Sequence, residues 1–323
     1  MFFAKKNYCL AVPIQRITCT RTWNAQLYLT QVKLFTKLKF LVLRMATVLF
    51  WNINKKRLFK EIISLCNENK VDILILAEAQ PDLSDAEVLI ELNSERENVY
   101  IAPFNPSRRL SFFFRYPAES IGLVSDEGGI AIRRISPPIG LDILLVALHL
   151  PSKLHRSEYD PIFQSVRVSQ LIQEAESKVG HTRTLVIGDL NMNPFEVGVV
   201  GADGLHAVMT QSIARKRSRR VLERDRPFFY NPMWGRMGDS SVGAPGTYYY
   251  RSSQQVSYFW NTFDQVLLRP ALLDFFSLDD LRVISQIGDN KLMTENGISS
   301  SSSDHLPIIV KLQIERMTQN DQQ

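Results

Sequence analysis

Thr184-Leu185-Val186-Ile187-Gly188-Asp189-Leu190-Asn191-Met192-Asn193-Pro194-Phe195-Glu196 carries a strand and a set of polar groups in one short stretch. Thr184 to Ile187 is a β-branched and apolar run that reads as a buried strand. Gly188 permits close approach of another backbone, Asp189 and Asn191 alternate onto one side of an extended chain, and Pro194 ends the extension. An ordinary Asx turn would also explain Asp189-Leu190-Asn191. What weighs against that reading is repetition of the same placement elsewhere in the chain. Asn52 and Asn54 close the run LFWNIN, Glu78 follows Ile73 to Ala77 in ILILAEAQ, and Ser303-Asp304-His305-Leu306-Pro307 stands just ahead of Ile308-Ile309-Val310. Several polar groups at the mouths of apolar runs imply a gathering at one edge of a packed sheet, where carboxylates and carboxamides can hold a hard divalent cation.

The pattern around these sites alternates. Val48 to Ile53 is a strand, Leu58, Phe59, Ile62, Ile63 and Cys66 recur at helical spacing, and Val71 to Leu76 is a second strand. Shorter strands at Ser111 to Arg115, Ile121 to Ser125, Gly129 to Ile135 and Leu141 to Leu148 suit antiparallel hairpins. A second strand, helix, strand unit follows, with the helix over Glu158 to Val179. Gly and Pro punctuate residues 198 to 246, which predicts loops. Strands resume at Thr247 to Tyr250, Phe263 to Leu268, Leu281 to Ile284 and Ile308 to Ile314. Mixed sheets with helices on their outer faces are the natural packing for such a chain.

With 323 residues, 45% hydrophobic and 22% charged, the chain can bury a large core. Its formal charge of +5 invites a nucleic-acid reading, but the charge is unevenly placed. Residues 1–44 hold eight basic groups and no acid, so the remainder is mildly acidic and the overall charge says little about a partner. That basic leader reads either as a targeting sequence or as sequence upstream of a start at Met45, with one domain over residues 45–315 and a polar tail over 316–323. Phe40 to Leu43 is cut by Arg44, which is too short for a secretory signal, and no run is long enough for a membrane span. Cys9, Cys19 and Cys66 lack the close pairing of a zinc site or a disulfide framework, which suits a reducing, cytoplasmic setting.

The motif order resembles the endonuclease/exonuclease/phosphatase superfamily, the deoxyribonuclease I-like group. Trp51-Asn52, Glu78 after a strand, His149 at a strand end, Gly188-Asp189-Leu190-Asn191, Phe263-Asp264 and Ser303-Asp304-His305 follow in the family's sequence. The resemblance spans Ala46 to Ile314 and implies an α/β fold, a four-layer α/β/β/α sandwich with two central mixed sheets. It implies a hydrolase of phosphoesters in which Glu78 binds Mg²⁺, with Mn²⁺ as an alternative, Asp304 lies near the metal, and Asn52 touches metal or phosphate. It further implies that Asp189 activates the attacking water beside Asn191, that His149 and His305 meet the phosphate, and that Asp264 orients His305. Asn54 stands where several nucleases of the group carry an acid, which leaves more of the metal site to Glu78.

The residues support three functional readings. A DNA or RNA nuclease is supported by the basic segment Arg215, Lys216, Arg217, Arg219 and Arg220, followed by Phe228, Phe229, Tyr230 and Trp234, and later by Tyr248 to Tyr250 and Trp260. Cations would hold backbone phosphates and rings would stack on bases. The same segment could instead grip an extra phosphate on a small molecule or lipid headgroup, although Asn261-Thr262-Phe263-Asp264-Gln265 lacks the Trp-Cys-Asp-Arg pattern of the inositol 5-phosphatase branch. A binding protein that has lost catalysis is the third reading, opposed by the joint retention of Glu78, Asp189, Asn191, Asp264, Asp304 and His305.

Overall fold

The computed structural model describes residues 46–313 except 80–83, 95–98, 108, 138–139, 153–159, 240–242, 254 and 296. These residues belong to a unit that begins at Arg44. The basic leader, the polar tail and the first residues of the expected 158–179 helix lie outside the described residues.

Two large sheets form the centre. Strand β1 (Ala46–Asn52) is joined by the helix Phe59–Asn69 to β2 (Ile73–Ala77), and β3 is Leu110–Phe114. A meander of β4 (Ile121–Glu127), β5 (Ile130–Ile135) and β6 (Ile143–His149) leads through the helix Asp160–Val179 to β7 (Thr184–Asp189). Next come β8 (Ala207–Val208), β9 (Ser218–Val221), β10 (Arg224–Pro227), β11 (Phe229–Tyr230), β12 (Tyr248–Tyr249), β13 (Trp260–Asn261) and β14 (Asp264–Leu268). The chain closes with β15 (Leu281–Val283), two short hairpins, β16 (Gln286–Ile287) with β17 (Asn290–Lys291) and β18 (Met293–Thr294) with β19 (Gly297–Ile298), and finally β20 (Ile308–Leu312). The first sheet has the order β15-β20-β1-β2-β3 and the second β4-β5-β6-β7-β14-β11-β8. Both are mixed: β1 with β2 and β6 with β7 are parallel across their helices, and most other pairs are antiparallel.

Period-two alternation decides what each face does. Leu49, Trp51, Leu74, Leu76 and Ile309 pack outward against Ile62, Leu65 and Cys66 of the first helix. Val146, Val186 and Leu267 pack outward against Val168, Ile172 and Ala175 of the long helix. Helices therefore cover the outer faces, as the sandwich expectation requires, and the intervening residues of each strand face the opposite sheet. A bidentate ion pair locks the long helix to the second sheet: Arg269 Nε donates to Glu176 Oε1 at 2.8 Å and Nη2 to Oε2 at 3.1 Å, with Thr184 Oγ1 donating to the same carboxylate at 2.6 Å.

The main departure from the sequence reading lies in residues 198 to 246. The basic segment expected as a loop is in part the β9–β10 hairpin, with Arg219 opposite Arg226. Gly and Pro density marked the region as irregular but could not show a hairpin held by backbone pairing. The expected strand Thr247 to Tyr250 shortens to Tyr248–Tyr249.

Candidate active site

Six side chains reach one opening because of strand direction. Asn52, His149 and Asp189 are the last residues of β1, β6 and β7, and Glu78 follows β2 directly. Asp264 opens β14, which runs antiparallel to β7 and pairs Asp264 with Asp189. His305 lies just before β20, antiparallel to β1. Alternation turns Asn52, His149, Asp189 and Asp264 inward, between the sheets. Gly188 makes the approach possible, because a Cβ there would overlap the Leu148 carbonyl on the neighbouring strand. That contact sets His149 in register with Asp189.

Short hydrogen bonds tie the group together. Asn52 Nδ2 donates to Asp189 Oδ2 at 3.1 Å and to Glu78 Oε1 at 3.3 Å, while its Oδ1 accepts from the Asn54 backbone N–H at 3.1 Å. The Asn54 contact fixes the amide's orientation, so Asn52 acts as a donor between two carboxylates. Asp189 also accepts from the Asn191 backbone at 2.8 Å and from Asn191 Nδ2 at 3.2 Å. Asn191 and Glu78 both adopt φ of 50°, a left-handed conformation that costs non-glycine residues about 1–3 kcal/mol and concentrates at functional sites.

His305 is held from several sides. Its Nδ1 lies 2.8 Å from Asp264 Oδ2 and its Nε2 faces Asp189 Oδ2 at 3.9 Å. Trp51 Nε1 donates to its carbonyl at 2.9 Å, and Ser303 Oγ accepts from its backbone N–H while donating to the Asn52 carbonyl. The Trp51-Asn52 pair thus anchors the Ser303-Asp304-His305 turn. Burial opposes a charge on His305, but the carboxylates of Asp264 and Asp189 outweigh it and raise the imidazole to about 10. Asp189 is pushed up to about 6 by burial, against the pull of His305. Glu78 is held low, at about 2, chiefly by the His149 hydrogen bond at 3.3 Å.

The Endonuclease/Exonuclease/phosphatase family model matches residues 49–305. The chain belongs to this family. Among solved structures, ANGEL2, a 2',3'-cyclic phosphatase, is 16% identical with a TM-score of 0.51, covering 84% of this chain and 95% of its own. An AP endonuclease from Archaeoglobus fulgidus is also 16% identical, with a TM-score of 0.47 over 82% of this chain and 98% of its own. The likeness to ANGEL2 establishes the deoxyribonuclease I-like fold. No curated protein matches the chain.

Within this family member, the donors suited to a hard cation lie toward solvent. Asp189, Asp264 and His305 bring ligand atoms within 4.8 Å of one another, but all three are buried and the imidazole is already engaged by Asp264. Mg²⁺ prefers oxygen ligands and keeps several waters. Glu78, whose side chain is 31% exposed, takes both of its described contacts on Oε1, and Asp304 is half-buried beside His305. These two carboxylates fit the ion's chemistry better than the closed trio.

The basic segment is elsewhere. Asp189 ends β7, whereas Arg269 donates its backbone N–H to Thr184, the first residue of that strand. One strand length, roughly 17 Å, separates the two ends. Arg217 lines an open cavity of about 930 Å³ at the Thr184 end with His181, Arg183 and Arg269. Arg215 pairs with Asp274 at 2.7 Å and Arg219 donates to His206 at 2.9 Å, while Lys216 and Arg220 are exposed. This cavity lies at the opposite end of β7 from Asp189. Phe228, Phe229 and Tyr230 are buried core residues with no face left for a base.

Two supports escaped sequence reasoning. Thr247 Oγ1 accepts from the Asp264 backbone N–H at 3.0 Å, and the Tyr248 ring lies 4.6 Å from the His305 ring. Thr247 carries no recognisable signal, whereas Tyr248 stood out only as part of a Tyr run.

Proposed function

We propose that this chain is a divalent-metal-dependent phosphodiesterase acting on nucleic acid, with Glu78 and Asp304 holding Mg²⁺, or Mn²⁺ in its place. The observation that carries the reading is the facing of Asp189 and His305 across 3.9 Å, with Asp264 behind His305 and Glu78 at the mouth. When bound, the cation supplies charge neutralisation at the phosphate and at the leaving oxygen. Asp189, raised toward neutrality, accepts the proton of the attacking water. Asn191 holds that carboxylate from two directions and so aims its remaining lone pair. His305 stays charged and donates from Nε2 to a non-bridging oxygen, and His149, at the same opening, provides a second donor. The buried, unpaired Cys66 suits a reducing compartment such as the cytoplasm. No helix among the described residues is long and apolar enough to cross a membrane.

The test is a hydrolysis screen of DNA, RNA, phosphoinositides and nucleotides, run with chelator and with Mg²⁺ restored, on wild type and on Asp189→Asn. Metal-restored cleavage of a polynucleotide, lost by about 10²–10³ or more in the variant, supports the reading. Turnover of phosphoinositides without polynucleotide cleavage overturns the substrate, and activity indifferent to chelator overturns the mechanism.

A further inference from the structure

From His305 a ladder of rings runs outward to solvent. Tyr248 covers the imidazole, stacks on Phe263 at 5.2 Å with planes 22° apart, and stacks on Tyr250 at 6.4 Å with planes 12° apart. Tyr250 is 53% exposed. Its backbone N–H donates to Phe259, which projects 45% exposed from a left-handed φ of 57°, an outlier for an aromatic residue. Next to Phe259, Tyr258 is 60% exposed and meets Phe195 edge-on at 5.5 Å, and Phe195 meets Trp234 at 6.3 Å. The loop bearing Phe195 is bound to the strand that follows these rings, through Asn193 Nδ2 to Asn261 Oδ1 at 2.9 Å and Thr262 N–H to Asn193 Oδ1 at 2.8 Å.

We infer that Tyr250, Phe259, Tyr258 and Phe195 form a stacking shelf for an unpaired nucleobase beside the scissile phosphate, which makes single-stranded or locally unpaired nucleic acid the substrate class. The inference rests on the phosphodiesterase reading above. Exposed rings alone would suit a lipid surface equally well. Here the ladder is continuous with the catalytic imidazole, and the near-parallel planes of Phe263, Tyr248 and Tyr250 present a flat face at the open end. A base has two such faces, whereas an acyl chain gains nothing from parallel ring planes. Arg251, exposed beside Tyr250, supplies a cation for the neighbouring backbone phosphate. Bases in a duplex are already stacked on one another, so the shelf offers them little.

The experiment compares wild type with Tyr250→Ala, Tyr258→Ala and the conservative Tyr250→Phe on a single-stranded oligonucleotide, on its duplex, and on copies carrying one abasic nucleotide walked along the strand. Base–aromatic stacking is worth about 1–3 kcal/mol, so kcat/KM on the single strand should fall roughly 5- to 150-fold in the alanine variants. Tyr250→Phe should keep its rate, and duplex cleavage should change little. At the sensitive position, the abasic substitution should slow wild type and have no further effect on the alanine variants. Equal loss on normal and abasic strands, or no loss at all, would overturn the shelf while leaving the phosphodiesterase reading intact. Unchanged oligonucleotide kinetics with loss of binding to phosphatidylcholine vesicles would mark a lipid-facing surface instead. Failure of wild type to cleave any oligonucleotide overturns both readings together.

Discussion

Replacing Asp264 by Asn removes the negative charge that sits 2.8 Å from His305 Nδ1 and leaves the pair's shape nearly unchanged. Two unit charges about 4 Å apart interact by about 4 kcal/mol at an effective dielectric near 20. At 1.36 kcal/mol per pK unit that is roughly three units. His305 stands at about 10 with the carboxylate in place, and its burial works against the charge, so the variant's imidazole should titrate near neutrality. A ring that must be charged to act is active below its pKa and inactive above it. Wild-type kcat/KM on an oligonucleotide should therefore rise through about pH 6 as Asp189 loses its proton and hold level to at least pH 9. The variant should begin to fall close to pH 7. At pH 8 the missing charge accounts for about a tenfold loss, and misorientation of the ring should bring the total to the order of 10²–10³. Matched thermal melts establish that the variant folds. An unchanged alkaline limit in Asp264→Asn would refute the argument that this carboxylate holds the charge on His305.

Three further outcomes are expected. Asp72 is buried and its carboxyl is raised to about 7, chiefly by desolvation, with one oxygen unpartnered; its folded form retains a proton that the unfolded chain releases near pH 4. Stability should therefore decline by about 4 kcal/mol between pH 4 and pH 7 on this account alone, and urea midpoints of Asp72→Asn should lack that decline. Neutralising Arg215, Lys216, Arg217, Arg219 and Arg220 together should leave cleavage of a short oligonucleotide unchanged, since one strand length separates them from Asp189. Only substrates long enough to reach the far end should lose affinity and salt dependence, and a loss on the short substrate would contradict the remote placement. Deleting residues 1–44 should preserve folding and metal-dependent activity, because the apolar patterning of the core starts at β1; recovery of only insoluble protein would show the leader to be part of the domain.

Much of the site was legible because its residues sit where the chain's patterning breaks. Asp189, Glu78 and Asn52 follow apolar runs that cannot end in polar groups without a strand mouth to place them in. Local sequence does not encode which way an amide turns: the Asn54 backbone N–H holds the Asn52 oxygen and leaves its Nδ2 to donate to Asp189 and Glu78. The distance between sites is equally hidden. Arg217 precedes the separate β9–β10 hairpin and Asp264 opens β14 of the second sheet, and nothing in the residues themselves says that the two regions lie toward opposite ends of β7. Phe228 to Tyr230 looked like a stacking surface because aromatic residues serve cores and ligands alike, and only burial tells them apart.

One further element of order was present in the sequence and is explained by topology. In the parallel pairs β1 with β2 and β6 with β7, the polar residue comes after the apolar run: FWN, ILILAE, ALH, LVIGD. In β14 and β20, which run antiparallel to their neighbours β7 and β1, it comes before: DQVLL, DHLPIIV. Strands of opposite direction can deliver side chains to the same edge only in this mirrored way. The reversal from run-then-acid to acid-then-run therefore records strand polarity, and it puts Asp264 and His305 opposite Asp189 and Asn52 although 253 positions separate Asn52 from His305. A polar residue moved to the other end of any of these strands would keep its burial pattern and lose the site, so composition cannot substitute for this order.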